Sequence, residues 1–514
     1  MEIQPMISPS FDPNGIKVQT PSVKGFYEIY PATRGQVTPL IDAPSTFKKM
    51  FEIMMAASRY IYISAWYLQT DALINGISSP PAFKALLKSI IAKNKSLQIK
   101  ILISYLPSMI FPDAKSAVSF QKEMLALNPP GRKLKPVNVQ IFEHPFYRTL
   151  NRKKMPLGTS HDKLMIVDGR YAFCGGIEFT KEYNKPTHRH DIHSFIEGPV
   201  VSHFEQHFVT HWMEARVNAN PKDPMDAGDL TISPSSYDAK KIAHAVQVAI
   251  TKSGDGPLNY TPLQQDIFES YKASIAEASK YIYIENQYFR DLDLATIIWN
   301  RINKVPDLRV IIVLPHSAEE KPKDSKALAL TEHAVFIQRR TIDYLRTRDP
   351  VQKNVGFFSL QKSKTSLTYV HAKIMIIDDK WFTIGSANVN PRSFYLDSET
   401  NICVLDKTAA SDFRFDLWKE HFGNPGKPAK DISKKTDITN ASKFLDMWKA
   451  EAVENAKRIS RGNAMSSQIV QHDPASGKER PSSFGEPNID RLVMLEGSPK
   501  ELKWPADKSQ IAEA

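Results

Sequence analysis

Two cysteines, Cys174 and Cys403, are all that the 514 residues contain, and both sit inside apolar, strand-like runs. That usage suits buried thiols in a reducing compartment and argues against a disulfide-stapled scaffold. No apolar run approaches the roughly 18 residues that a membrane-spanning helix needs, so the chain does not read as an integral membrane protein. The first fifteen residues carry Glu2 and Asp12 among scattered prolines, with neither a basic start nor a continuous apolar stretch, and no secretory signal is visible. Cytoplasmic synthesis is the expectation, with export by a route that needs no cleaved signal left open. A long basic block is also missing. The Lys and Arg residues behind the formal net charge of +11 are dispersed, which favours approach to polyanions without choosing among nucleic acid, anionic lipid and phosphorylated metabolites.

What the chain does have is length and an internal repeat. At 514 residues, with 42% hydrophobic and 24% charged, it exceeds what one core supports. The run Ser58-Arg-Tyr-Ile-Tyr-Ile-Ser-Ala-Trp-Tyr-Leu68 recurs as Ser279-Lys-Tyr-Ile-Tyr-Ile-Glu-Asn-Gln-Tyr-Phe289, and Leu97–Ser104 is answered by Leu308–Pro315. β-branched runs separated by helical patterns, twice over, read as an α/β fold of two similar lobes. Each lobe is a mixed β-sheet flanked by helices, and a pseudo-two-fold relates them with the active site between. The expected division is a first lobe over 1–225, a second over 240–425, and an accessory C-terminal helix and polar tail over 426–514. The Pro-, Asp-, Gly- and Ser-rich stretch from Asn218 to Asp238 reads as the linker.

Of the 14 histidines only His161 and His371 are followed at i+2 by lysine, Lys163 and Lys373; both also carry Asp at i+7, Asp168 and Asp378, and Gly at i+14. A lone His-x-Lys is commonly an exposed edge strand, but its recurrence at equivalent points of both halves is not coincidence. On a strand, i and i+2 share a face, so imidazole and ammonium point into one space. The acids, at an odd offset, fall on the opposite face at the turn, where a structural role is expected. A two-residue Asp379-Lys380 loop pairs Asp378 with Trp381, setting His371 opposite Asn388 and Lys373 opposite Ser386. The same register sets Glu178 opposite His161 and Gly176 opposite Lys163, or two residues away if Asp168-Gly169 forms the loop.

Two imidazoles and two ammonium groups facing one another suit a phosphodiester. The lysines stabilise charge growing on the equatorial oxygens, one imidazole attacks phosphorus, and the other protonates the leaving oxygen. An attacking imidazole needs its far nitrogen held by a carboxylate. Asp191, thirty residues past His161, and Glu399, twenty-eight past His371, are the candidates. The dense set His188, His190 and His193 lacks flanking Cys or a His-Glu-x-x-His pattern, and the lysines oppose a nearby cation, so no metal or other cofactor is expected. Trp66, Tyr67, Tyr288, Phe289 and Tyr395 follow or flank the site strands. Core packing is the commoner role for such residues, but Trp66, Tyr288 and Tyr395, with Ser386, are the candidates for substrate contact.

The pattern His-x-Lys-x4-Asp-x6-Gly-Gly/Ser-x-Asn resembles the phospholipase D superfamily. Both copies fit, except that Glu178 stands where the pattern has Asn. Ile282–Phe289, His190-Asp191 before Gly198-Pro199, and Asn390-x-Arg-Ser393 before Asp397-Ser-Glu399 also look like family segments, and the similarity covers roughly residues 45 to 425. The resemblance implies that His161 is the nucleophile and His371 the acid, an assignment the repeat alone cannot make. It further implies a soluble phospholipase D that frees phosphatidic acid through a phosphohistidine and transfers the phosphatidyl group to alcohols. A cardiolipin synthase-like transferase and a nuclease are the alternatives. The expected partner is phospholipid at a membrane or micelle surface, without obligatory nucleic acid, with a monomer as the working unit.

Overall fold

The apolar runs of the repeat become the inner strands of two equivalent sheets. A computed structural model of the chain describes residues 30–104, 122–124, 126–127, 139–144, 146–150, 153–158, 160–185, 189–218, 238–253, 262–316, 325–363, 366–424, 428–429, 432 and 437–472. In the first lobe, β1 (Thr33–Ile41), β2 (Tyr60–Ala65), β3 (Gln98–Ser104), β4 (Val139–His144), β5 (Leu164–Val167), β6 (Tyr171–Gly175) and β7 (Ile192–Glu197) follow in sequence. They lie side by side in the order β4-β3-β2-β5-β6-β7-β1, parallel across β4, β3 and β2 and antiparallel beyond. The second lobe has β8 (His244–Ser253), β9 (Tyr281–Asn286), β10 (Arg309–Val313), β11 (Val355–Ser363), β12 (Lys373–Ile377), β13 (Trp381–Gly385) and β14 (Glu399–Leu405). Their order is β11-β10-β9-β12-β13-β14-β8. Each strand of the first lobe thus has its counterpart seven strands later. β1 also pairs with β8 through Thr33–Gly35 and His244–Val246, fusing the sheets at equivalent edges.

Helices cover both faces, which is why β2 and β9 are buried along their whole length. On the outer faces α1 (Asp42–Met55) and α2 (Phe83–Lys93) match α4 (Asp266–Glu277) and α5 (Leu292–Lys304), while α6 (Ser325–Arg348) stands between β10 and β11. On the inner face α3 (Val201–Asn218) and α7 (Lys407–His421) pack Phe204, Trp212, Phe413 and Trp418 into one apolar cluster with Ile166 of β5 and Ile376 of β12. The two motif hairpins therefore back onto a shared core.

The hairpins differ from the expected register by one residue. Val167 pairs with Tyr171 and Ile377 with Trp381, leaving three residues in each connection. Asp168 and Gly169, and Asp378 and Asp379, all have positive φ (56°, 64°, 54° and 49°), and this tight left-handed pair takes the chain around one residue later than the two-residue loop supposed. Glycine at i+14 has a steric cause in the second copy: a Cβ on Gly385 would stand 2.0 Å from Asn401 Oδ1.

The motif acids are anchors. Asp378 accepts hydrogen bonds from the backbone N–H of Ser279, Lys280 and Tyr281 and from the Ser279 hydroxyl at 2.7–2.8 Å. Asp168 does the same for Ser58, Arg59 and Tyr60. Each ties the motif turn to the start of the strand beside it. Asp378→Asn, which turns an amide toward donors, is expected to cost at least about 2 kcal/mol, read as a lower Tm; an unchanged Tm contradicts the anchoring role.

The described part of the segment beyond residue 425 packs into the second lobe. α8 (Phe444–Ser460) buries Phe444, Leu445 and Trp448 against Tyr283, Phe358 and Trp418, and β15 (Ile469–Gln471) pairs antiparallel with β11. An amphipathic helix needs a partner for its apolar stripe and an open sheet edge accepts a strand, so both belong to the second lobe. The linker core 219–237, the tail after 472 and His188 lie outside the described residues.

Candidate active site

Two short parallel contacts across the lobes set the geometry. Tyr369–Val370 pairs with Arg189–His190, and Ser160 bridges Ser398. The next residue on each strand is a motif histidine or an acid, so each histidine meets the acid of the other half. His161 Nδ1 lies 3.0 and 2.9 Å from the two Glu399 oxygens, and His371 Nδ1 lies 2.6 Å from Asp191 Oδ2. The spacings in sequence suggest acids serving their own half; the fold exchanges them. Backbone hydrogen bonds fix the crossings, from His161 N to Ser398 O at 2.8 Å and from His371 N to His190 O at 2.7 Å.

Each carboxylate is itself held. Glu399 accepts from Ser386 Oγ and Ser393 Oγ, both at 2.5 Å, and Asp191 accepts from Tyr183 Oη at 2.5 Å and from Ile192 N at 2.8 Å. A Cβ on Gly176 would fall 2.1 Å from Asp191 Oδ1, so glycine makes room for the acid. Lys163 donates to the carbonyl of His161 at 3.1 Å and pairs with Glu178 at 3.7 Å. Lys373 donates to the carbonyl of His371 and to Gln287 Oε1. Both ammonium groups are almost wholly buried, 1% and 0% exposed by side chain, whereas His161 keeps 15% and His371 9%. The histidines are the openings of the site.

Electrostatics follow from that enclosure. Burial, then the Lys163 and Lys373 charges, push His161 down to about 3, and burial with Lys373, Arg189 and Lys163 holds His371 well below its usual range. Both imidazoles are therefore neutral near pH 7. Burial raises Glu399 to about 8 against the pull of Lys163 and its two hydroxyl donors, and Asp191 to about 6 against Lys373 and Tyr183. Burial also lowers Lys373 to about 7. An arriving phosphodiester anion supplies the missing negative charge, and in its presence an imidazolium at one histidine becomes favourable.

The candidate substrate residues separate. Trp66 places its ring edge-on to His161, centroids 6.1 Å apart. Tyr288 has one face covered by the Arg290 guanidinium at 3.7 Å. Tyr395 packs against Phe268 and Phe394 in the second lobe, where apolar neighbours satisfy its ring, and the structure does not bring it to the histidines. Ser386 serves Glu399. Because the strand ends at Gly385, the segment 386–388 escapes the one-residue slip, which would otherwise have turned Ser386 and Asn388 away. Asn388 carries a buried side-chain oxygen with no hydrogen-bond partner in the protein. Glu178 accepts from Trp66 N and Tyr67 N at 2.5 and 3.1 Å, so it fixes the loop after β2.

Sequence reasoning did not assign Tyr183, Ser393 or Gln287 a role in the site. Ser393 and Gln287 lie in the family-like segments Asn390–Ser393 and Ile282–Phe289, but nothing marks Tyr183, which reaches Asp191 from a short 3-10 turn over Lys181–Asn184. Among the described residues, Asp162 with His207 and His211, and His190 with Glu285 and His421, have spacings a metal ion could use. Both groups are buried, a third, Asp42 with His190 and Glu420, is partly exposed, and none of the three includes His161 or His371.

A family profile described as cardiolipin synthase, PLD-like domain, matches residues 271–419, the stretch that holds His371, Lys373, Asn388 and Glu399. Phospholipase D A of Dictyostelium discoideum is 24% identical over 475 residues, covering 74% of this chain and 35% of that protein. Cardiolipin synthase 1 of Staphylococcus epidermidis is 25% identical over 377 residues (73% and 65%), and phospholipase D alpha 1 of Arabidopsis thaliana is 24% identical over 376 (55% and 44%). The chain thus spans between about a third and two thirds of the length of these relatives. Phosphatidylserine synthase of Haemophilus influenzae superposes with a TM-score of 0.56 at 14% identity, over 85% of this chain and 97% of that one. The matched second motif and relatives of both kinds agree in supporting membership of the phospholipase D superfamily.

Proposed function

We propose that this protein is a phospholipase D that cleaves the distal phosphodiester of glycerophospholipids and passes the phosphatidyl group to water or an alcohol. The observation that carries the reading is the crossed pair of imidazole–carboxylate contacts: with Nδ1 of His161 on Glu399 and Nδ1 of His371 on Asp191, both Nε2 atoms are left for chemistry. His161 Nε2 attacks phosphorus, and the bond from phosphorus to the head-group oxygen breaks. His371, protonated beside the bound anion, gives its proton to that oxygen. Water or alcohol then enters, His371 takes its proton, and the phosphorus–nitrogen bond breaks. Lys163 and Lys373 face the equatorial oxygens, and the Asn388 amide joins them from the second half.

Hydrolysis and phosphatidyl transfer differ only in the acceptor, and the cardiolipin synthase description of the matched segment favours transfer as a second reading. Among the described residues no helix is long and apolar enough to cross a membrane; in this reading the phospholipid is taken from a membrane or micelle surface. One chain supplies both halves of the site, so a monomer suffices.

Phosphatidylcholine, phosphatidylethanolamine, phosphatidylglycerol and single-stranded DNA, offered in parallel with and without EDTA, test the reading. Lipid cleavage is expected to exceed DNA cleavage and to survive chelation, because the lysines supply the charge that a metal otherwise would. Faster DNA cleavage supports a nuclease instead. Loss of activity with EDTA, restored by a divalent ion when the lipid surface is controlled for, contradicts the metal-free mechanism.

A further inference from the structure

Asp42, the first residue of α1, has φ +63°. That left-handed conformation strains a residue with a Cβ, and non-glycine residues held in it cluster where a side chain has work that glycine cannot do. Its contacts show the work. Asp42 N donates to Asp191 O at 2.8 Å, and Asp42 Oδ1 accepts from Asp191 N at 3.1 Å. One residue therefore grips both backbone groups of the acid that holds His371. The same Oδ1 lies 2.9 Å from His190 Nδ1, whose opposite nitrogen lies 2.9 Å from Glu285 Oε2. Glu285 is braced by Tyr283 Oη at 2.6 Å and His421 Nε2 at 2.9 Å. The carbonyl of His190 receives the backbone N–H of His371, so this buried assembly touches the second histidine by two routes, through its backbone and through Asp191.

The nucleophile's half is built otherwise. There Asp162, inside the first motif, holds Ser398 Oγ at 3.0 Å and Thr400 Oγ1 at 2.5 Å, on either side of Glu399. The matching motif position in the second half is Ala372. The residue that opens α4 is Asp266, whose φ is not positive, and the place that Asp42 takes opposite Asp191 is taken opposite Glu399 by Thr251, in regular strand pairing. The grip on Asp191 belongs to one half only.

We propose that Asp42 is a positioning residue for the acid half: it fixes Asp191, and through Asp191 the orientation in which His371 delivers its proton. This rests on the phosphodiesterase reading and on His371 as the acid. A misaimed acid slows departure of a poor leaving group and barely affects a good one, whereas a general loss of structure slows both.

The test compares phosphatidylcholine with phosphatidyl-p-nitrophenol for wild type, His371→Ala, Asp42→Gly and Asp42→Asn, reading kcat and KM for each and Tm for each variant. Asp42→Gly relieves the left-handed strain and removes the grip. Its kcat/KM on phosphatidylcholine, which reports the first step, is expected to fall on the order of tenfold or more, with kcat/KM on the nitrophenyl ester little changed. Asp42→Asn, which tolerates the backbone and keeps one acceptor oxygen, is expected to show a smaller loss with the same leaving-group selectivity, and it decides the matter if the glycine variant does not fold. Equal losses on the two esters, or no loss in a folded Asp42→Gly protein, overturn the proposal. A His371→Ala protein without leaving-group selectivity overturns it from below, by removing the acid role of His371, and an inactive wild type does so by removing the activity; both are distinct from a fault in Asp42 alone.

Discussion

Alanine at position 161 is expected to stop cleavage of every phosphodiester, while alanine at 371 spares the first step for those whose leaving group needs no proton. Removing a covalent nucleophile leaves only binding and charge stabilisation, so the loss for His161→Ala should be on the order of 10⁴-fold or more on all esters. Removing a general acid costs about 10²- to 10⁴-fold where the alkoxide must be protonated and far less for a phenolate. Values of kcat/KM on phosphatidylcholine and on a nitrophenyl ester, which report the first step, separate the two. The same loss for both variants on both esters leaves the division of roles without support.

The second large effect concerns the crossed acids. Glu399 lies in the second lobe, yet its carboxylate holds the histidine of the first, so Glu399→Gln should act as a weakened His161. Asp191→Asn, in the first lobe, should act as a weakened His371. By the logic of a hydrolase triad, an amide in place of the orienting acid favours the wrong tautomer, with a loss of up to about 10⁴-fold. Residues that work as a unit are not additive: Glu399→Gln should add little to His161→Ala but should add its full effect to His371→Ala. A double-mutant cycle measures this. If Glu399→Gln is instead non-additive with His371→Ala, each acid serves its own half and the crossed arrangement is wrong.

Much of this was legible in the chain because the repeat states the fold twice. Ser58–Leu68 and Ser279–Phe289 hold the equivalent inner strands β2 and β9, and Lys163 stands immediately before β5 while Lys373 opens β12. The turn acids came out as anchors because an odd offset on a strand leaves no other face. The pairing of acids with histidines was not legible, since it depends on two chain crossings, at Ser160 with Ser398 and at Val370 with His190, that bring together segments about 180 to 240 residues apart. The hairpin register was missed by one because periodicity cannot tell a two-residue from a three-residue connection, and only the positive φ values at Asp168 and Asp378 decide it. Tyr395 looked like a site residue by proximity in sequence, but the π-helical turn Arg392–Leu396 carries it onto Phe268. Asp42 gave no signal at all: an Asp at a helix start reads as a favourable charge at the N-terminus, and its grip on Asp191 exists only once β1 and β7 are paired.

The account stands most directly on one measurement, the identity of the covalent intermediate. With phosphatidyl-p-nitrophenol as substrate, whose leaving group needs no proton, and His371→Ala slowing the second step, acid-avoiding quench and peptide mass spectrometry should find a phosphatidyl group on His161. In the wild type with several per cent ethanol, the ratio of phosphatidylethanol to phosphatidic acid should then be the same whichever head group was lost. Label on a residue other than His161, or a product ratio that changes with the departing head group, contradicts an intermediate that forgets its leaving group before the acceptor arrives.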